Sequence, residues 1–235
     1  MGEMNERTII AVLGGTGSEG SGLAFRWARS GHDVIIGSRS AGRAAKTAEE
    51  LNRLLGGGER VRGTSNREAA HAGRVVVLAV PYAAQLATAL EVQDCLAGKI
   101  LIDVTVPLVP PRIDRVQLPG GESAAAVLQR RLGGSVKVVS AFQNVSAIHL
   151  KDANHAIDCD VLVCGDDAPA REVVIGLARD AGLRGWHAGA LANSVAAEAL
   201  TSVLIALNKR YKVPASGIRI TGIPMRDEGW GRKER

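Results

Sequence analysis

The seven residues Gly14-Gly15-Thr16-Gly17-Ser18-Glu19-Gly20 restrict this chain more than any other stretch. Residues 8–13 before them form a short apolar run that reads as a strand. Residues 20–30 after them place Leu23, Ala24, Trp27 and Ala28 on one face of a helix, which Gly31 stops. Gly15, Gly17 and Gly20 complete the spacing G-x-G-x-x-G. That spacing is common by itself. Between a strand and a helix, near the start of a strand–helix–strand unit, it describes a loop that cradles a dinucleotide pyrophosphate. Gly15 permits the tight turn, Gly17 lets the backbone approach the phosphates, and Gly20 lets the helix pack on the sheet. Thr16, Ser18 and Glu19 fill the remaining positions of the loop. The phosphates would accept from free N–H groups at the helix start, with the helix dipole assisting. The competing reading is a glycine-rich turn that binds nothing.

Short apolar runs continue to alternate with helical patterns. Strands are expected at 33–37, 60–63, 74–80, 99–104, 136–142 and 160–165, and helices at 41–55, 83–95, 122–132, 168–181 and 193–211. Alternation of this kind predicts an α/β chain, a Rossmann-type doubly wound and mostly parallel sheet with right-handed crossovers. Only 3% of residues are aromatic, so the core falls to Val, Leu, Ile and Ala. Buried parallel strands are built from those residues. Beyond Phe142 the alternation loosens, which sets a dinucleotide-binding domain at 1–146 and a smaller C-terminal α/β domain at 147–223. The charged, turn-rich residues 224–235 predict a disordered tail. Pro107, Pro110, Pro111 and Pro119 make 105–121 an irregular loop after a strand's carboxyl end. Such loops carry active-site residues or merely connect. The last helix keeps a helical period in Val195, Ala199, Leu200, Val203, Leu204, Leu207 and Tyr211.

The end of the second strand chooses the cofactor. Enzymes that use NAD place Asp or Glu there to bond the ribose hydroxyls. This chain has Gly37-Ser38-Arg39, with Arg43 one turn on. A hydroxyl and a planar guanidinium suit a 2′-phosphate, so NADP(H) is favoured over NAD(H). The plainer reading leaves Arg39 and Arg43 as solvated cations at a helix start, where they oppose the dipole. The net charge of +5 comes from basic residues scattered among acids, with no RNA-stacking motif, so no nucleic acid partner is expected. Cys95, Cys159 and Cys164 have no metal spacing, and no metal is expected. The start carries no apolar leader, and no apolar run is expected to reach the ~18–20 residues of a membrane span. A cytoplasmic protein without a membrane partner follows.

Longer strings resemble one family, the NADPH-dependent reductases of the deazaflavin coenzyme F-420. They are Ala11-Val12-Leu13-Gly14-Gly15-Thr16-Gly17, Gly31-His32, Gly37-Ser38-Arg39, Val138-Val139-Ser140-Ala141-Phe142 and Asn144-Val145-Ser146-Ala147. Further on come Val161-Leu162-Val163-Cys164-Gly165-Asp166-Asp167, Glu198-Ala199-Leu200-Thr201, Arg210-Tyr211-Lys212 and Gly217-Ile218-Arg219-Ile220-Thr221. The resemblance implies reversible hydride transfer between NADP(H) and coenzyme F-420, in a homodimer. It implies that Thr16, Ser38, Arg39 and Arg43 hold the 2′-phosphate side and that Pro81 and Tyr82 line the cofactor cleft. Gln143, Asn144 and Val145 would face the two rings, and Ala147 joins the cofactor-binding set. Some relatives have His at the place of Gln143 and Trp at that of Tyr82, so a His role does not carry over.

No residue is assigned as catalytic, because the cofactors carry the chemistry. The Gln143 and Asn144 amides are candidates to stabilise charge on the deazaflavin as hydride arrives. Lys209, Arg210, Lys212 and Arg219 either attract that molecule's anionic tail or complement a helix dipole. Two other readings stay open. One is a different NADPH-dependent reductase acting on an imine, a keto acid or an intermediate of deazaflavin biosynthesis. The other is a non-catalytic NADPH sensor.

Overall fold

The structure is a computed structural model and describes residues 7–223. The disordered tail expected at 224–235 lies outside the described residues. Elements follow in the order β1 (Ile9–Leu13), α1 (Ser18–Arg29), β2 (Asp33–Ser38), α2 (Ala41–Leu54), β3 (Val61–Ser65), α3 (Asn66–Ala72), β4 (Val75–Leu78), α4 (Tyr82–Glu91) and β5 (Ile100–Asp103). Then come α5 (Ala124–Leu132), β6 (Lys137–Ser140), β7 (Asp160–Gly165), α6 (Ala168–Asp180), β8 (Arg184–His187) and α7 (Ser194–Tyr211).

All eight strands form one sheet in the order β3-β2-β1-β4-β5-β6-β7-β8. Every neighbouring pair is parallel except β6 and β7, which meet antiparallel at Val139 opposite Gly165 and Ser140 opposite Cys164. The Rossmann-type, mostly parallel sheet expected from the alternation is present. The smaller C-terminal part beyond Ala147 is α/β as expected, and its strands extend the same sheet. Two elements were not foreseen. Helix α3 is seven residues long, too short to show a period, although Ser65 and Glu68 close a capping box at its start. Strand β8, Arg-Gly-Trp-His, is only half-buried and lacks an apolar run.

Helix α1 is buried along nine consecutive residues, Gly20 to Ala28. One side lies on the sheet. The other is covered by residues 149–155 and by α6. Leu150 packs where a side chain on Gly22 would stand, 2.5 Å from its Cβ position. Arg26 carries the strongest link. Its Nε donates to Leu150 O at 2.7 Å, and its Nη2 donates to the carbonyls of His149 (2.8 Å), Asp152 (2.8 Å) and His155 (3.0 Å). Burial pulls the pKa of this guanidinium below its ordinary value, and the nearby Arg29 cation adds to the effect. Trp27 Nε1 donates to Leu177 O on α6 at 2.8 Å.

Helix α7 is seated differently from its sequence pattern. It buries Ser194, Ala197, Glu198, Ser202 and Leu204, while Val203, Leu207 and Tyr211 stay exposed. The segment Leu191–Tyr211 is also long and apolar enough, by length and composition, to cross a membrane, which corrects the sequence reading that no run was. One such helix is weak evidence of a span, because the core helix of a soluble protein has the same length and composition.

Candidate functional site

The strand order reverses between β1 and β4, and in open α/β sheets ligands bind in the crevice outside the carboxyl ends at such a reversal. The helices that leave those two strands share one property. Helix α1 starts after Gly17 and α4 after Pro81, and neither start has a side-chain cap. By contrast α2, α3, α5 and α6 are capped by Ser40, Ser65, Ser123 and Asp167. The first N–H groups of a helix have no partner inside it, and with the dipole they form a ready site for anions.

The glycines of the loop separate into two kinds. A Cβ on Gly15 would lie 2.7 Å from Val12 O, and one on Gly20 would lie 2.9 Å from Gly15 Cα and 3.0 Å from Ala79 Cβ. Packing within the chain demands glycine at both. A Cβ on Gly17 would meet nothing nearer than Gly14 O at 3.6 Å. The protein itself does not need glycine there, so the open space above Gly17 fits a group from outside the chain. The residues fit a pyrophosphate on this ground. A Cβ on Gly14 would lie 2.5 Å from Val80 Cγ1, which sets the loop against the segment leading to Pro81 and Tyr82. Thr16 is half-buried and Ser18 is exposed. Glu19 has its Oε1 enclosed and unpartnered, and burial pushes its carboxyl up to about 8.

Strand β2 runs beside β1 with Gly37 opposite Leu13, so Ser38 ends one strand over from the loop. Ser38 is buried and its Oγ accepts from Ser40 N at 3.2 Å. Arg39 and Arg43 are exposed at the start of α2. No acid stands between Gly37 and Lys46 to repel a phosphate.

The turn after β6 has the most constrained geometry. Phe142 sits at φ 73°, a left-handed backbone that costs a non-glycine residue about 1–3 kcal/mol. Its ring is held edge-on against Trp27 of α1, with centroids 5.8 Å apart and planes at 82°. The turn closes with Val145 N donating to Phe142 O at 3.0 Å. Gln143 Nε2 donates to Asp103 O and Ser140 Oγ, both at 2.8 Å. Asn144 Nδ2 donates to Asp160 O at 2.7 Å and to Cys159 Sγ at 3.1 Å. Each amide NH2 thus has both hydrogens engaged by the protein. In this structure the protein's own acceptors hold both NH2 groups. Their oxygens, Gln143 Oε1 and Asn144 Oδ1, are buried without a partner, at about 1–3 kcal/mol each. Val145 is buried, and Ala147 is half-buried where a short 3-10 turn begins.

Sequence reasoning missed a buried polar cluster beside this turn. Asp103 accepts from Thr105 N (3.1 Å), Thr105 Oγ1 (2.8 Å) and Gln85 Nε2 (2.5 Å), yet burial still lifts its carboxyl to about 6. Glu198 reaches from α7 to accept from Ala124 N (2.8 Å) and Ala125 N (3.2 Å) at the start of α5, and burial lifts it to about 7. Ser194 and Ser123 hydroxyls meet beside it at 2.7 Å, and Thr201 Oγ1 donates to Gln143 O at 2.8 Å. The signal was an acid inside each apolar run: Asp103 follows Leu101-Ile102, and Glu198 interrupts the apolar face of the last helix. Of the four basic residues considered for an anionic tail, Lys209 pairs with Asp114 at 2.8 Å and Arg219 with Asp158.

Residues 9–107 match the family model described as NADP oxidoreductase coenzyme F-420-dependent. The chain is 43% identical over 221 residues to the F-420-dependent NADP reductase of Methanocaldococcus jannaschii, covering 91% of this chain and 98% of that protein. It is 40% identical over 224 residues to the F-420-dependent NADP reductase of Methanothermobacter thermautotrophicus, covering 92% of this chain and 95% of that protein. A crystallised chain from Arthrobacter sp. FB24, assigned as an F-420-dependent NADP-reductase, is similar with a TM-score of 0.75 at 29% identity. That likeness covers 91% of this chain and 99% of the other.

Proposed function

The chain belongs to the family of coenzyme F-420-dependent NADP oxidoreductases, and from that premise we propose that it transfers a hydride reversibly between NADP(H) and coenzyme F-420. The observation that carries the reading is identity of about 40% along nearly the whole of both chains, since a shared dinucleotide loop alone would leave the second half unmatched. When bound, the nicotinamide and deazaflavin rings supply the donor and acceptor carbons of the hydride. The protein supplies placement.

Gly15, Thr16, Gly17, Ser18, Glu19 and Gly20 hold the pyrophosphate at the uncapped start of α1. Ser38, Arg39 and Arg43 hold the 2′-phosphate. Pro81 and Tyr82 wall the crevice, and Gln143, Asn144, Val145 and Ala147 border the rings. In this arrangement residues 1–146 bind the dinucleotide, residues 147–223 form the smaller part, and the deazaflavin lies in the cleft between them. The enzyme is cytoplasmic, takes small molecules rather than nucleic acid or membrane as partners, and works as a homodimer. The exposed Val203, Leu207 and Tyr211 of α7 support the last point, because an apolar helix face left in water favours a partner.

The test is to mix protein, NADPH and oxidised deazaflavin coenzyme and follow the deazaflavin's visible absorbance, with NADH in parallel. Loss of absorbance much faster with NADPH than with NADH is expected. No loss with either donor, while NADPH still binds, would overturn the assignment.

A further inference from the structure

Asp103, the last residue of β5, is 0% exposed, and the hydride-transfer reading gives it no part. Its carboxyl accepts from Thr105 N at 3.1 Å, Thr105 Oγ1 at 2.8 Å and Gln85 Nε2 at 2.5 Å. The other hydrogen of the Gln85 NH2 goes to Thr105 Oγ1 at 2.8 Å. Every donor in this triangle serves the carboxyl or the hydroxyl that donates to it. A carboxyl that accepts three bonds and donates none is an anion.

This charge has no counter-ion. Around Asp103 stand Leu78 of β4, Ser140 of β6, Gln85 of α4, Thr105 of the loop that follows, and Glu198 of α7. The first four are neutral, and Glu198 is a like charge that Asp103 helps to keep protonated. Among the described residues no cation offsets Asp103. Burial lifts its carboxyl to about 6, which leaves it ionised at neutral pH. Such a charge reaches far, because little water lies around it to screen it.

The strand order says what lies above it. The glycine loop leaves β1, Ser38 ends β2 and Arg39 follows, all on one side of the reversal between β1 and β4. A dinucleotide that sets its 2′-phosphate beside Ser38 and Arg39 carries its nicotinamide across to the β4 and β5 side. Leu78 and Asp103 end those two strands, paired in register.

We propose that Asp103 is a fixed negative charge beneath the nicotinamide half of the site, and that it favours bound NADP+ over bound NADPH. The inference rests on the NADP reading of that site. A nicotinamide is neutral when reduced and carries +1 once its C4 hydrogen has left with an electron pair for the acceptor. The anion therefore biases the reaction toward hydride donation by NADPH. It acts through its field rather than by contact.

Direct binding without deazaflavin tests this. NADP+, NADPH and 2′,5′-ADP, which has no nicotinamide, are each titrated into wild type and Asp103→Asn. The ratio of NADP+ affinity to NADPH affinity within one protein is the readout. It should fall about fivefold or more in Asp103→Asn, while 2′,5′-ADP binds as before. An unchanged ratio refutes the inference, even with hydride transfer intact. If the variant does not fold, the wild type decides alone: its ratio should fall about threefold from pH 7.5 to 5.5 as Asp103 takes up a proton. The 2′-phosphate titrates in both nucleotides and cancels. Glu198→Gln removes the other carboxyl of that window and should keep the fall. A ratio flat with pH refutes the inference. If the ratio behaves as expected but no hydride passes to the deazaflavin, the charge stands and the assigned reaction fails. If the wild type binds neither nucleotide, the inference falls with the NADP reading.

Discussion

Replacing Arg26 by Met should unfold this protein more easily than almost any other single change outside the apolar core. Arg26 is 7% exposed, and its guanidinium faces four backbone carbonyls from one loop. Only three of its hydrogens serve them, one on Nε and two on Nη2, so the four contacts amount to about three hydrogen bonds. A bond from a charged donor contributes about 1.5–3 kcal/mol, giving a gross loss of roughly 4.5–9 kcal/mol. Two factors reduce it. Met keeps the buried aliphatic stem, and the loop's exposed residues Lys151, Asp152 and Asn154 let some carbonyls regain water. A net loss of about 3 kcal/mol remains. Lys at this position keeps the charge and three donors, but as a compact head that cannot span the loop, and should cost about 1–2 kcal/mol. Urea unfolding followed by circular dichroism reads both variants as shifts in midpoint at unchanged slope. An Arg26→Met protein within about 1 kcal/mol of wild type would refute the view that this residue holds the loop against α1.

Three further outcomes are expected. Gly20→Ala should destabilise the fold by about 1–3 kcal/mol because its Cβ meets backbone, while Gly17→Ala should leave stability unchanged and weaken NADPH. Thermal melts beside NADPH titrations decide this, and equal stability losses would show that Gly17 is structural. Arg39→Ala should weaken NADPH by about 10–100-fold and leave NADH unchanged, as the loss of a charge-assisted phosphate contact of about 1.5–3 kcal/mol requires. Equal loss for both nucleotides would remove Arg39 from the 2′-phosphate site. The third concerns pH. Glu19, Asp103 and Glu198 have carboxyls raised by burial to about 8, about 6 and about 7 in the folded chain. The folded state therefore binds more protons than the unfolded state across the window between ordinary carboxyl values and those raised ones. Stability should fall as pH rises through that window, by at most ~1.4 kcal/mol per unit for each group. Glu198→Gln should flatten the part of the slope below about pH 7, and an unchanged slope in urea midpoints against pH would refute it.

The succession of strands along the chain and the glycine loop were legible because both are local. A strand, three spaced glycines and a helix lie within one short stretch, and each later strand announces itself by its own Val, Ile and Leu. What was not legible depends on residues far apart in the chain. Nothing near Arg26 tells that its partners are the carbonyls of 149, 150, 152 and 155. Glu198 looked like an interruption of an apolar face until α5 supplied the two N–H groups it caps. The seating of the last helix was hidden for the same reason: its period is real, but the side turned inward is the one carrying Ser194, Glu198 and Ser202, because the polar cluster lies there. The spacing set the glycines between β1 and α1, where the structure has them, while Gln143 and Asn144 were read without their polarity. That polarity is set by carbonyls on β5 and β7, and no local pattern encodes it.

The envelopment of α1 bears on how this chain can be divided. In many dinucleotide-binding proteins the first strand–helix–strand unit looks like a module that could be lifted out. Here a chain cut after residue 146 would keep the phosphate loop but lose everything that covers the outer side of the helix behind it. Trp27 would lose the carbonyl of Leu177, Arg26 would keep its charge with no acceptor loop, and Gly22 would face open water in place of Leu150. The N-terminal half is thus completed by residues more than a hundred positions downstream. During synthesis it would wait, partly bare, for them to emerge.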